Sequence, residues 1–116
     1  MRDNFLQERT FKFAVNILRL CRDMQKNGDY VLSKQLLKSG TSVGANIREA
    51  NYAISKAEFV AKFQIALKEA AETEYWLLLL IETESDNCYY KELCTECNAI
   101  KRILIKSSLT AKTKEI

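Results

Sequence analysis

Cys94-x-x-Cys97 is the pair whose residue type and spacing most directly invite metal or redox chemistry. A zinc site built on it needs two further ligands. The chain has no histidine, and its other cysteines, Cys21 and Cys88, have no framework-like spacing. A redox dithiol normally opens a helix after a strand, whereas Leu93, Cys97, Ile100 and Leu104 recur at helical spacing and put this pair inside a helix. The cysteines therefore read as core thiols, and neither metal nor cofactor is expected. Lack of histidine also removes serine and cysteine triads and the Glu-x-x-His clusters of di-iron bundles. Glu72 and Glu74 remain as a carboxylate pair. Glu74 falls near the core-facing side of its helix, where it needs hydrogen bonds or a basic partner, and Asn46 or Arg48 is the expected supplier. With no second catalytic group in view, the pair reads as a structural polar network and the protein as a non-enzyme.

Charge offers a second chemistry. Residues 1–68 carry 12 basic and 6 acidic side chains, whereas residues 69–116 carry 6 basic and 9 acidic ones, within a net charge of +3. Lys12, Arg19, Arg22 and Lys26 fall on one helical stripe, and Lys34, Lys38 and Arg48 line a face of the next helix. Such faces neutralise phosphates and release counterions, giving salt-dependent, sequence-tolerant binding of nucleic acid; equally, they are the solvated faces that most helices carry. No aromatic residue is seen to interleave with the stripes, so base stacking is not expected.

The elements that position these groups are helices. A chain of 116 residues, 47% apolar, with no proline and three glycines, reads as a single helix-rich domain spanning residues 1–116. Its patterning predicts helices over about 5–25, 30–54, 56–83 and 88–109, with a polar tail after them. Helix one starts from a cap at Asp3 or Asn4 and packs through two rows: Phe11, Ala14, Leu18, Cys21, and Phe13, Ile17, Leu20, Met24. Asn27-Gly28-Asp29 stops it, Gly28 taking the left-handed position and Asp29 capping helix two. Ser55-Lys56-Ala57-Glu58 is a capping box opening helix three, whose length is about 40 Å. Glu84-Ser85-Asp86-Asn87 links it to helix four. Short links make an all-α, antiparallel up-down four-helix bundle the expected fold. The uninterrupted apolar run from Trp76 to Ile81 is far shorter than the roughly 20 residues a membrane span needs, and the charged first residues do not resemble a signal peptide. The expected location is the cytoplasm, without a membrane partner.

Helix two is the most specific segment. Leu36, Gly40, Val43, Ile47, Ala50 and Ile54 form an apolar seam, and beside it Gln35, Ser39, Ser42, Asn46 and Glu49 form a polar row of the same rhythm. A polar row against a seam predicts hydrogen bonding to a neighbouring helix. Gly40 and Gly44 each cost about 1 kcal/mol against alanine inside a helix, which points to a close approach within the bundle. On helix three, Trp76 and Leu79 fall roughly 150° from the centre of the apolar face and are candidate anchors of self-association.

These segments resemble a known family. Lys38-Ser39-Gly40-Thr41-Ser42-Val43-Gly44-Ala45-Asn46-Ile47-Arg48-Glu49-Ala50, then Ser55 to Phe59, then Ala66 to Leu77 are similar to the bacterial four-helix bundle proteins, known also from reading frames in intervening sequences of large-subunit ribosomal RNA genes. Ser42, Asn46, Ile47 and Glu49 stand where that family has its Ser-Ile/Val-x-Ala-Asn-Ile-x-Glu motif. Ala50 replaces a glycine, and Ile54 a basic residue, that many members carry. The resemblance implies a left-handed bundle assembling into a ring, typically a homopentamer. It also implies similarity to the accessory protein of diversity-generating retroelements, a positively charged barrel that engages reverse transcriptase and nucleic acid. Two functions are thereby expected: an RNA- or ribonucleoprotein-associated scaffold using the basic residues above, or a protein–protein adaptor that binds no nucleic acid. A small-molecule enzyme ranks below both.

Overall fold

The structure, a computed structural model, describes residues 4–84 and 87–113, with side chains over 5–84 and 87–110. It contains four helices: α1 (Asn4–Lys26), α2 (Val31–Ala50), α3 (Lys56–Thr83) and α4 (Cys88–Thr113). The expected cap at Asp3 and the linking residues Ser85 and Asp86 lie outside the described residues, as does the side chain of Asn4.

Side-chain pairings fix the directions of the helices. Gln25 donates to Ser33 at one end of the α1–α2 contact and Asn51 to Gln7 at the other, so the two helices run antiparallel. Ser39–Thr73 and Glu49–Lys62 make α2 and α3 antiparallel, and Arg9–Glu96 and Tyr89–Asn16 do the same for α1 and α4. The chain is thus an up-down-up-down bundle measuring 50 × 20 × 20 Å. Three of its seams are well packed; the α1–α4 seam is much thinner.

Each helix end has a local cause. Gly28 has φ +86°, and the Asp29 and Gly28 amides donate to the Met24 and Gln25 carbonyls, the paired bonds of a glycine-terminated helix. Asp29 does not cap α2, contrary to the sequence expectation: Tyr30 occupies that position in α-conformation with no side-chain cap. The Ser55 cap does form. Ser55 Oγ accepts from the Glu58 amide at 3.0 Å, while Glu58 Oε1 takes the Ile54 amide rather than that of Ser55. For this Ser55 must be extended (φ −151°, ψ 161°), so α2 ends at Ala50 instead of running to Ile54. The seam reading overshot because an apolar residue recurs at position 54, where no helix lies opposite, and Ile54 is 93% exposed. At the other end, α4 continues past Leu109 to Thr113, since no glycine or proline stops it.

The core is a contiguous apolar cluster from all four helices. In α1 it uses Leu6, Phe13, Ile17, Leu20, Cys21 and Met24, with Thr10 buried among them. Leu6, Thr10, Phe13, Ile17, Leu20 and Met24 step four-three-four-three-four, which puts Phe11 on the opposite face. Of the expected Phe11 row, Cys21 is buried, Ala14 and Leu18 are half-buried, and Phe11 itself is exposed. A Cβ on Gly40 would lie 2.8 Å from Ile17 Cγ2, and one on Gly44 3.2 Å from the Thr10 carbonyl oxygen. Both glycines are thus contact points for α1.

The polar row of α2 is used at one buried point. Ser39 meets Thr73 inside the bundle, Asn46 turns back to the Ser42 carbonyl of its own helix, and Glu49 pairs with Lys62 near the surface. Glu74 takes its partner from α4, not from Asn46 or Arg48: Lys101 Nζ lies 2.6 Å from Glu74 Oε1. Thr73 is the α3 residue that turns to α2, and Glu74, one position on, turns to α4.

Candidate nucleic-acid interface

Once α1 buries its seam, the residues left on its outer face are Phe5, Glu8, Phe11, Lys12, Val15, Arg19, Arg22, Asp23 and Lys26. Lys12, Arg19, Arg22 and Lys26 are all exposed, and among the described residues none is in an ion pair. Periodicity produces this stripe directly, because residues three, four and seven apart return to the same side of a helix.

Arg48 joins the stripe from α2. Its guanidinium lies 5.8 Å from the centroid of the Phe11 ring, and the two share a shallow groove with Lys12, Val15 and Arg19. A second pair sits towards the α4 side, with Arg9 5.9 Å from the Phe5 centroid. Arg9 is committed elsewhere, since its Nε and Nη2 donate to the two Glu96 oxygens at 2.7 and 2.9 Å. That fork holds the Arg9 pKa above its ordinary value and supplies a polar link across the thin α1–α4 seam. Lys34 and Lys38 are exposed on α2, and neither lines this groove. The aromatic members, Phe5 and Phe11, were missed in the sequence; extending the Phe13 row back through Thr10 to Leu6 is the signal that frees them from the core.

The other candidate chemistry folds into the interior. Cys21, Cys94 and Cys97 are buried free thiols and Cys88 is exposed. Burial raises Cys21 to about 11 and Cys97 to about 12, and Cys97 Sγ donates to the Ala70 carbonyl at 3.2 Å. Among the described residues no group of three or more potential ligands could hold a metal ion. Thiols so hard to ionise are poor nucleophiles and poor ligands.

Trp76 is half-buried against the core instead of facing solvent. The buried face of α3 runs through Ala66, Ala70, Thr73, Leu77 and Leu80, and Trp76 lies three residues from Thr73 and four from Leu80, on its flank. Its indole N–H is buried with no acceptor among the described residues, and its ring meets Tyr75 edge-on at 5.2 Å. Leu79 is more open, and with Ile65, Tyr75 and Leu78 it leaves α3 with apolar groups on its solvent side. Of the remaining motif residues, Glu49 is exposed and Ser42, Asn46 and Glu72 are half-buried.

Fold and surface together define a small four-helix bundle with three of its four thiols buried, Glu74 paired with Lys101 and a basic, partly aromatic face on its first helix. No described helix is long and apolar enough to cross a membrane. The chain belongs to the 23S rRNA-intervening sequence protein family, whose profile matches residues 2–106. It is similar to a solved protein of unknown function from the S23 ribosomal protein family of Bacteroides thetaiotaomicron, with 45% identity and a TM-score of 0.85 over 89% of this chain and 97% of that one. No curated protein matches it.

Proposed function

We propose that this protein is a non-enzymatic, cytoplasmic bundle that assembles with copies of itself, as a homopentamer, and acts as a scaffold associated with RNA or ribonucleoprotein. The carrying observation is the row of exposed cations Lys12, Arg19, Arg22 and Lys26 on the outer face of α1, none of them ion-paired among the described residues, extended by Arg48. Lys34 and Lys38 add charge on α2. A family defined by intervening sequences of ribosomal RNA supports a ribonucleoprotein setting. Self-assembly is supported by the apolar groups on the solvent side of α3, where Leu79 and the flank of Trp76 are the candidate contact. The mechanism is avidity: each copy contributes a weak phosphate-binding stripe, and repetition of the stripe multiplies the affinity.

The test is native molar mass by light scattering, with the ratio of absorbance at nucleic-acid and protein wavelengths followed through nuclease and salt treatment. A ring-sized mass carrying RNA until high salt strips it is the expected result. Replacing Lys12, Arg19, Arg22 and Lys26 by glutamine should flatten the salt dependence, since each lost phosphate contact removes about 0.7 from the logarithmic slope for a single strand. A clean monomer without RNA overturns the reading. A ring that ignores RNA and retains a protein partner after nuclease replaces it with the adaptor.

A further inference from the structure

We infer that Phe11 and Arg48 form a base-stacking clamp, so that the basic face of α1 takes single-stranded nucleic acid with one base between the phenyl ring and the guanidinium. The inference rests on the nucleic-acid reading above and adds to it a strand type and a contact.

Phe11 is 58% exposed, which leaves its ring open to a ligand from solvent. Arg48 already sits over it at 5.8 Å. A base entering between the two replaces this contact, so Arg48 has to draw back from the ring to admit it. It is free to do so, being exposed and in no ion pair among the described residues. The Phe5–Arg9 pair has nearly the same spacing but cannot open in this way, because Glu96 holds Arg9 through two hydrogen bonds. Lys12 and Arg19 stand in the same groove as the clamp, which Glu8 and Glu96 also line; Glu96 is neutralised by Arg9, and the two cations meet the phosphates on either side of a stacked base. Planar guanidinium, aromatic ring and flanking cations together are the means by which proteins hold unpaired strands without reading sequence. A duplex offers no such base face, since its bases are paired and stacked on one another.

The experiment is fluorescence anisotropy with a labelled single-stranded RNA dodecamer, the same strand in duplex, and heparin as a polyanion without bases. Phe11→Leu should lower single-strand affinity about 5- to 100-fold with the salt slope and heparin binding unchanged. Arg48→Lys, which keeps the charge but loses the plane, should weaken the single strand more than the duplex. Phe11→Tyr should bind as the parent does, and Phe5→Leu should change little. Circular dichroism and native mass are recorded for every variant. If Phe11→Leu binds the single strand like the parent, the clamp is wrong and charge alone carries binding. If the parent binds no RNA, the clamp and the scaffold reading fall together. If Phe11→Leu loses mass along with affinity, the ring is a contact between copies and the clamp is overturned.

Discussion

Thr73 Oγ1 lies 2.8 Å from Ser39 Oγ across the α2–α3 interface, and neither residue is reached by solvent. Thr73 Oγ1 is also 2.8 Å from the Glu69 carbonyl, and Ser39 Oγ is 3.4 Å from that of Leu36. Two hydroxyl protons serve these three contacts, so the pair joins α2 to α3 in a dry place, where a polar group without its partner is costly. Thr73→Val should destabilise the bundle by about 1–3 kcal/mol, the cost of leaving a buried hydroxyl short of a partner. The double variant with Ser39→Ala should lose less than the two singles together, because removing both polar groups leaves none stranded. Urea unfolding of the four proteins measures this coupling; strict additivity would show that the hydroxyls act independently.

Gly40 leaves no room for a side chain beside Ile17 at the α1–α2 contact. Alanine at position 40 would ordinarily gain about 1 kcal/mol in a helix. Here its Cβ would stand 2.8 Å from Ile17 Cγ2 and 3.0 Å from Cγ1, and relieving such overpacking typically costs 1–3 kcal/mol. Gly40→Ala should thus be net destabilising by up to about 2 kcal/mol. In the Ile17→Ala background the same change should turn neutral or stabilising. A gain in the parent protein would mean that the helices separate freely and that the glycine is not a packing requirement.

Of the predicted capping box, the Ser55 half forms as expected, which makes it simple to test. Ser55→Ala removes the acceptor of the Glu58 amide and should cost about 1 kcal/mol, or roughly 4 °C in melting temperature for a domain of this size. Ser55→Asp should keep the stability, since aspartate caps equally well. If alanine leaves the thermal midpoint unchanged, the chain turn before α3 is held by something other than the cap.

What was legible in the sequence follows this contrast between local and distant causes. Gly28 and Ser55 announce their turns because the required conformation is written in single residues, and the α2 seam from Leu36 to Ala50 is legible because packing repeats it. The end of α2 was not, since Ile54 continues the apolar rhythm with no helix opposite. In α1 the buried row passes through Thr10, which a reading of apolar residues alone skips, so Phe11 was drawn into the core. That single slip concealed the candidate site: with Phe11 inside, the basic stripe seemed to have no aromatic partner. Glu74 was matched to the wrong helix because a shift of one residue turns a side chain by 100°, from α2 towards α4. Arg9–Glu96 joins residues 87 apart, and no local pattern reports such a pairing.

The buried thiols give the protein a weakness at alkaline pH. Burial raises Cys97 from its ordinary 9.0 to about 12 and Cys21 from 9.0 to about 11. A raised pKa means that the folded state keeps a proton which the unfolded state releases more readily. Below pH 9 both states hold it, and the stabilisation is fully present. Between 9 and the folded values the unfolded chain ionises first, so stability should fall with pH, at a slope approaching about 1.4 kcal/mol per unit for each thiol. Tyr90 and Tyr89, also raised by burial, add to the same trend at higher pH. Comparing the parent with Cys97→Ala isolates one thiol against that background. The variant should begin less stable, having lost a packed sulfur and its bond to the Ala70 carbonyl, and should then decline less steeply in urea-derived stability from pH 8 to 11. The two curves should converge as the pH rises. Curves that stay parallel would mean that Cys97 ionises as easily in the fold as outside it, and that the sulfur is not sealed between α3 and α4.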